Sequence, residues 1–314
     1  FPTRRSSDLF LEIQAQTGQQ FSLIGKQSIT DQTKDILDRN QDYPVKSKVD
    51  VLGLLLGSYK ASGEYRKALA ICELLIEIYK SQRLVDEGDY HDYDYEQTSS
   101  PIKSSPIKNL SEYLNYTQEQ AALHVILAEY QQAETTYLQV LKVLDGENKK
   151  AVARRLRVLN DLARLYVRMA RIKEAEQVLA RAQKLAEANQ DKAGLAEVST
   201  SLGLLHRSLE DPKAALAPFA SALALRRECL AKEPASVEHK RGVILALNHL
   251  AATHKEPEQL EPAGTYLAEA VKLSETLRRK DLQLRSIELL ADVAQALGRY
   301  DEAVATLQRV IALR

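Results

Sequence analysis

Six segments of this chain carry one pattern of side chains, and that repetition limits the fold more than any other feature. The clearest copy has Leu55, Tyr59, Gly63, Tyr65 and Ala68; the last has Leu290, Ala294, Gly298, Tyr300 and Ala303. Between them lie Leu162, Tyr166, Ala170, Ile172 and Ala175, then Leu202, His206, Glu210, Pro212 and Ala215. Two further copies keep Tyr130 with Ala133, and Leu250 with His254 and Ala263. Four positions after each alanine stands a larger residue: Cys72, Tyr137, Leu179, Phe219, Leu267 or Leu307. Apolar residues at steps of three and four mark one buried face of an α-helix. Each segment therefore reads as two amphipathic helices joined by a tight turn. The small residue early in the second helix lets the two backbones approach closely. Gly63 and Gly298 suit the turn because glycine tolerates positive φ. Such units cannot bury their apolar faces alone, so the expected fold is all-α, with helix pairs stacked on their neighbours.

The segments resemble tetratricopeptide repeats. Their alanines are separated by 65, 42, 40, 48 and 40 residues, against a usual period of ~34. The longer copies are similar to the kinesin-light-chain-like branch, as VLNDLARLY at 158–166 and LALNHLAATH at 245–254 show. The stretch from Ala214 to Ala251 also resembles repeats of large bacterial signalling proteins. The resemblance spans roughly residues 47–314. Two departures stand out: no tryptophan occurs anywhere, and His124, His206 and His254 replace the tyrosine of the first helix. The resemblance implies a right-handed superhelical solenoid whose first helices line a concave, peptide-binding groove.

The organisation follows from the repeats. Residues 1–9, FPTRRSSDL, resemble the translation of a sequencing adapter and are read as a non-native arm. On that reading the natural N-terminus is missing. Residues 10–46 form a lead-in, with a helix expected over Ile29 to Asn40. Residues 47–83 are the first repeat and 111–314 hold repeats two to six. Between them residues 84–110 are read as a flexible acidic insert, carrying SSPIK twice in tandem at 99–103 and 104–108.

Composition excludes several kinds of work. With 43 basic and 43 acidic side chains the net charge is zero, which disfavours a nucleic-acid partner. The longest apolar run, Val51 to Leu56, is far short of the ~20 residues that span a bilayer; a cytoplasmic setting is favoured. No GxxxxGK[ST], GxSxG, HExxH or CxxC motif is present. Cys72 and Cys229 make no metal framework. No cofactor, metal site or enzymatic activity is expected.

The chain does concentrate charge. From Lys149 to Arg171 there are eight basic residues and one acid, Asp161. On a helical wheel centred on Leu159, Asn160, Arg164, Arg157 and Arg168 fall at about 100°, 140°, 160° and 180°. Arg241, Asn248 and Lys255 take comparable places around Leu247. The resemblance puts these seven residues on the groove face. Arginine can hold carboxylates bidentately and asparagine can hold an extended backbone. The sequence thus predicts a non-enzymatic interaction scaffold that binds an extended, acidic peptide at Arg157, Asn160, Arg164, Arg168, Arg241, Asn248 and Lys255. The alternative is a regulatory or sensor arm of a larger bacterial signalling enzyme. The charge contrast also suggests that the insert, from Asp86 to Glu96, competes for the same groove.

Overall fold

The computed structural model describes residues 44–88, 110–145, 151–254, 256–277 and 279–313, together with Thr33. Among the described residues the elements are twelve α-helices. They divide into two compact units, Phe1–Glu147 and Asn148–Arg314.

The first unit contains α1 (Val45–Ala61), α2 (Tyr65–Gly88), α3 (Leu110–Ile126) and α4 (Tyr130–Asp145), each packed on the next. Leu52, Leu55, Leu69, Ile71, Leu75 and Leu123 are fully buried at its centre. The Cys72 thiol is buried there too and donates to the Tyr116 carbonyl at 3.1 Å. Burial, followed by the nearby Glu119 carboxylate, pushes its pKa up and leaves it an unreactive thiol. The sequence reading placed a loop from residue 84, but α2 continues to Gly88. Residues 84–87 contain neither glycine nor proline, so nothing in them stops a helix; Gly88 is the first residue that does. The rest of the insert, the expected helix over Ile29 to Asn40, and residues 1–9 lie outside the described residues.

The second unit is a run of four helix pairs. These are α5 (Val152–Arg168) with α6 (Ile172–Ala188), α7 (Lys192–Ser208) with α8 (Pro212–Lys232), α9 (Val237–Thr253) with α10 (Pro257–Leu277), and α11 (Lys280–Ala296) with α12 (Tyr300–Leu313). Each first helix packs on its own second helix, and each second helix on the first helix that follows. First helices also touch directly, α5 against α7 and α9 against α11. Ala175, Ala215 and Ala263 are completely buried where the paired helices cross, as the pattern of small residues requires. Asp191, Asp211 and Ser236 cap α7, α8 and α9 by accepting from backbone N–H groups three residues on.

Among the described residues, one position in the turn is left-handed in five of the six helix pairs. Gly63 and Gly298 have φ of 75°, and Ala128, Ala170 and Glu210 hold the equivalent place at 58°, 57° and 58°. A side chain there costs about 1–2 kcal/mol, while glycine costs about 0.5–1 kcal/mol in lost chain entropy. Ala170→Gly and Glu210→Gly are each expected to stabilise the second unit by about 0.5–1 kcal/mol, read as a higher denaturant midpoint. A lower midpoint would show that the αL strain is already relieved by the surrounding turn.

Candidate functional site

In α5 the buried residues are Leu156, Val158, Leu159, Asn160, Leu162, Ala163, Leu165 and Tyr166. That register turns Arg157, Arg164 and Arg168 to the exposed side. Arg164 is joined to Asp161 one turn away. Among the described residues no carboxylate faces Arg157 or Arg168 within ion-pair distance. Alongside α5, the end of α7 contributes Arg207 and Ser208, both exposed, and the buried Ser201. Between the two helices lies an open cleft of about 270 Å³, walled by Arg164, Arg168 and Arg207, with Leu179 of α6, Ser201 and Ser208 among its lining.

Arg207 links this cleft to the next pair of helices. Its guanidinium sits 5.8 Å from the Phe219 ring centroid, and Phe219 stacks on His249 with centroids 5.3 Å apart and planes 8° from parallel. Partial burial, and then the like charge of Arg285, lower the proton affinity of Arg207. The His249 pKa is lowered to about 4, by burial first and then by Arg207, Arg285 and Arg164. One imidazole therefore feels guanidiniums from α5, α7 and α11 together. Arg164, Arg207 and Arg285 thus make the surroundings of His249 cationic, and His249 is neutral at physiological pH.

This arrangement has a measurable consequence. The unfolded chain protonates His249 near pH 6.5 and the folded chain near 4. The unfolded state thus binds more protons in that window, so the contribution of His249 to stability is complete above pH 6.5. It drains away as the pH falls to 4. The loss is on the order of 3 kcal/mol at most, at 1.36 kcal/mol per unit. Comparing denaturant midpoints across this range, His249→Gln should flatten the acid slope of the wild type. Parallel slopes would show that the imidazole is not desolvated.

The structure separates the seven residues predicted from the wheel. Arg157, Arg164, Arg168 and Arg241 are exposed, and Arg241 pairs with Glu238 at 3.3 Å. Asn160 and Asn248 are not on an open face: they are 1% and 6% exposed. Asn160 Nδ2 donates to the Leu156 carbonyl at 2.9 Å. Ser286 Oγ lies 3.0 Å from Asn248 Oδ1 and 3.1 Å from the Leu282 carbonyl, so Asn248 ties α9 to α11. A wheel assumes one buried face, whereas a helix in this array is covered on two sides, by its own partner and by a neighbouring repeat. Residues about 100° from the core centre are therefore enclosed. Lys255 lies outside the described residues, as do Lys149 and Lys150 of the basic run. The sequence reading missed Arg207, Arg285 and the Phe219–His249 stack. Arg207 directly follows His206 of the repeat pattern, which is the place that Lys255 takes after His254, and that equivalence was the available signal.

Among the described residues no group of three His, Cys, Asp or Glu side chains could hold a metal. No described helix is long and apolar enough to cross a membrane. The site offers guanidinium and hydroxyl donors, which hold anions and hydrogen-bond acceptors.

Comparison with known proteins agrees with this build. Tetratricopeptide-repeat family models match residues 154–228 and 286–314. No curated protein matches the sequence. Among solved structures, BtubC (BKLC) from P. vanneervenii is 17% identical over 76% of this chain and 91% of its own, with a TM-score of 0.55. A Rap protein complexed with Competence and Sporulation Factor is 12% identical over 98% of this chain and 76% of its own, at 0.52. A signal transduction ATPase with numerous domains and a tetratricopeptide repeat sensor, from Pyrococcus horikoshii, is 15% identical. It matches over 90% of this chain and 42% of its own, at 0.51. At these identities the likeness is one of fold. Residues 154–228 and 286–314 thus match tetratricopeptide repeats, and the chain shares the all-α repeat fold of these structures.

Proposed function

We propose that the second unit recognises an extended, acidic peptide on the face of its first helices, without catalysis. The observation that carries this reading is the cleft between α5 and α7, where Arg164, Arg168 and Arg207 converge and where, among the described residues, Asp161 is the only carboxylate ion-paired to any of them. Arg207 is additionally held in partial burial near another guanidinium. An anion placed there offsets the repulsion between the two guanidiniums. Arg157 and Arg241 extend the cationic surface along α5 and α9. Asn160 and Asn248 support the face from beneath, and among the described residues Asn160 Oδ1 and Asn248 Nδ2 have no hydrogen-bond partner. The test is fluorescence anisotropy with a labelled peptide rich in glutamate and its glutamine counterpart at two salt concentrations. Preference for the acidic peptide, weakened by salt, supports the reading; equal binding overturns it.

A second reading makes the chain the sensor arm of a larger signalling protein. It is favoured by the fold shared with the Pyrococcus horikoshii protein, whose own description includes a tetratricopeptide repeat sensor. The complete reading frame decides this, through the presence or absence of a catalytic domain on the same chain.

A further inference from the structure

The cleft between α5 and α7 has a twin. A second open cleft, of about 280 Å³, lies between α9 and α11. Six of its lining positions correspond to those of the first at a constant offset of 88 residues. Ala163, Arg164, Leu179, Ser201, Leu204 and Ser208 become Ala251, Ala252, Leu267, Leu289, Asp292 and Ala296. The two are the same inter-repeat pocket, built two repeats apart, and their chemistry is opposite. Where the first has Arg164, the second has Ala252. Where the first has Ser201, Leu204 and Ser208, the second has Leu289, Asp292 and Ala296. The walls of the second are apolar, with Leu260 and Val293 added, and the carboxylate of Asp292 is exposed at it. Among the described residues no cation pairs with Asp292. His254 cannot supply one at neutral pH, because burial lowers its pKa and it stacks on Tyr266 at 5.9 Å.

We infer that the second pocket takes a long basic side chain of the same peptide, lysine or arginine. Its alkyl stem lies on Leu260, Leu267 and Leu289 and its charged head pairs with Asp292. Long basic side chains are suited to such a place because they bury an apolar stem and keep the charge at the surface. This inference rests on the proposed peptide reading and adds to it a second, opposite requirement. First helices that pack directly lie about 8–10 Å apart, and α7 and α9 pack less closely than that, so pockets two repeats apart are separated by at least about 20 Å. An extended chain advances about 3.3 Å per residue, which puts at least about six residues between the acidic and the basic side chain. The ligand is thus a peptide with separated opposite charges, not a uniformly acidic one. Opposite pockets also fix the direction in which the peptide lies.

The experiment uses labelled peptides of alanine, serine and glycine with one glutamate and one lysine about six to nine residues apart, made in both orders. Wild type should bind one order, and replacing its lysine by leucine should weaken binding about tenfold. In Asp292→Asn, whose side chain is exposed and whose fold is checked by circular dichroism, lysine and leucine peptides should bind alike. If wild type binds the leucine peptide as well as the lysine peptide, the inference is overturned. Persistence of the lysine preference in Asp292→Asn overturns it equally. In both cases a retained loss on replacing glutamate by glutamine leaves the acidic-peptide reading standing. If no peptide binds at low salt, that reading itself fails and the inference falls with it.

Discussion

Gly203→Val is expected to lower the stability of the second unit by about 3 kcal/mol or more. Gly203 is buried on α7 directly beneath the Phe219 ring. A Cβ added there would stand 2.6, 2.7 and 2.8 Å from Cε1, Cδ1 and Cζ of that ring. The ring has nowhere to go: Phe219 is completely buried, and its stacking partner His249 is 5.3 Å away. Overpacking a closed core costs about 1–3 kcal/mol per inserted group, and valine inserts a branched one. The gain in helix propensity over glycine, about 0.5 kcal/mol, offsets little of this. Combining Gly203→Val with Phe219→Leu should cost less than the sum of the two single changes, because they act on one contact. The denaturant midpoints of the three variants test this. Strict additivity would mean that ring and glycine do not meet.

The second large effect concerns the cationic face. Arg207→Glu should weaken binding of a glutamate-rich peptide about a hundredfold, corresponding to about 3 kcal/mol. The change removes a charge-assisted hydrogen bond, worth about 1.5–3 kcal/mol, and sets a carboxylate against the ligand's own. Arg164→Glu should cost less. Arg164 already shares its charge with Asp161, so the cleft gains less from it. Arg157→Glu, further along α5, should cost least. The screening length is about 8 Å at physiological ionic strength, so all three differences should shrink with added salt. Titration of the labelled peptide against each variant checks the order. Equal losses at Arg157 and Arg207 would mean that binding reads net charge and not the cleft.

The fold was legible because the repeat pattern is redundant. Alanines at 175, 215 and 263 with Leu179, Phe219 and Leu267 four residues on mark each crossing of paired helices, and all six are buried. Even the turn was readable, since Gly63 and Gly298 occupy the left-handed position that Ala170 and Glu210 adopt at a cost. The end of α2 was less legible. The insert's acidic composition hid the fact that its first five residues continue a helix through Gly88.

The site was legible only in part, and for a definite reason. Sequence periodicity reports how one helix divides between buried and exposed, so by itself it determined the helix pairs and the exposure of Arg157, Arg164 and Arg168. It does not report which helices become neighbours. The tertiary structure decided that Arg207 of α7 faces Arg164 and Arg168 of α5, and that Arg285 and His249 join their field. It also enclosed Asn160 and Asn248, which a single wheel leaves at the edge. Charge acts through space across helices far apart in sequence, whereas periodicity is a property of one helix at a time.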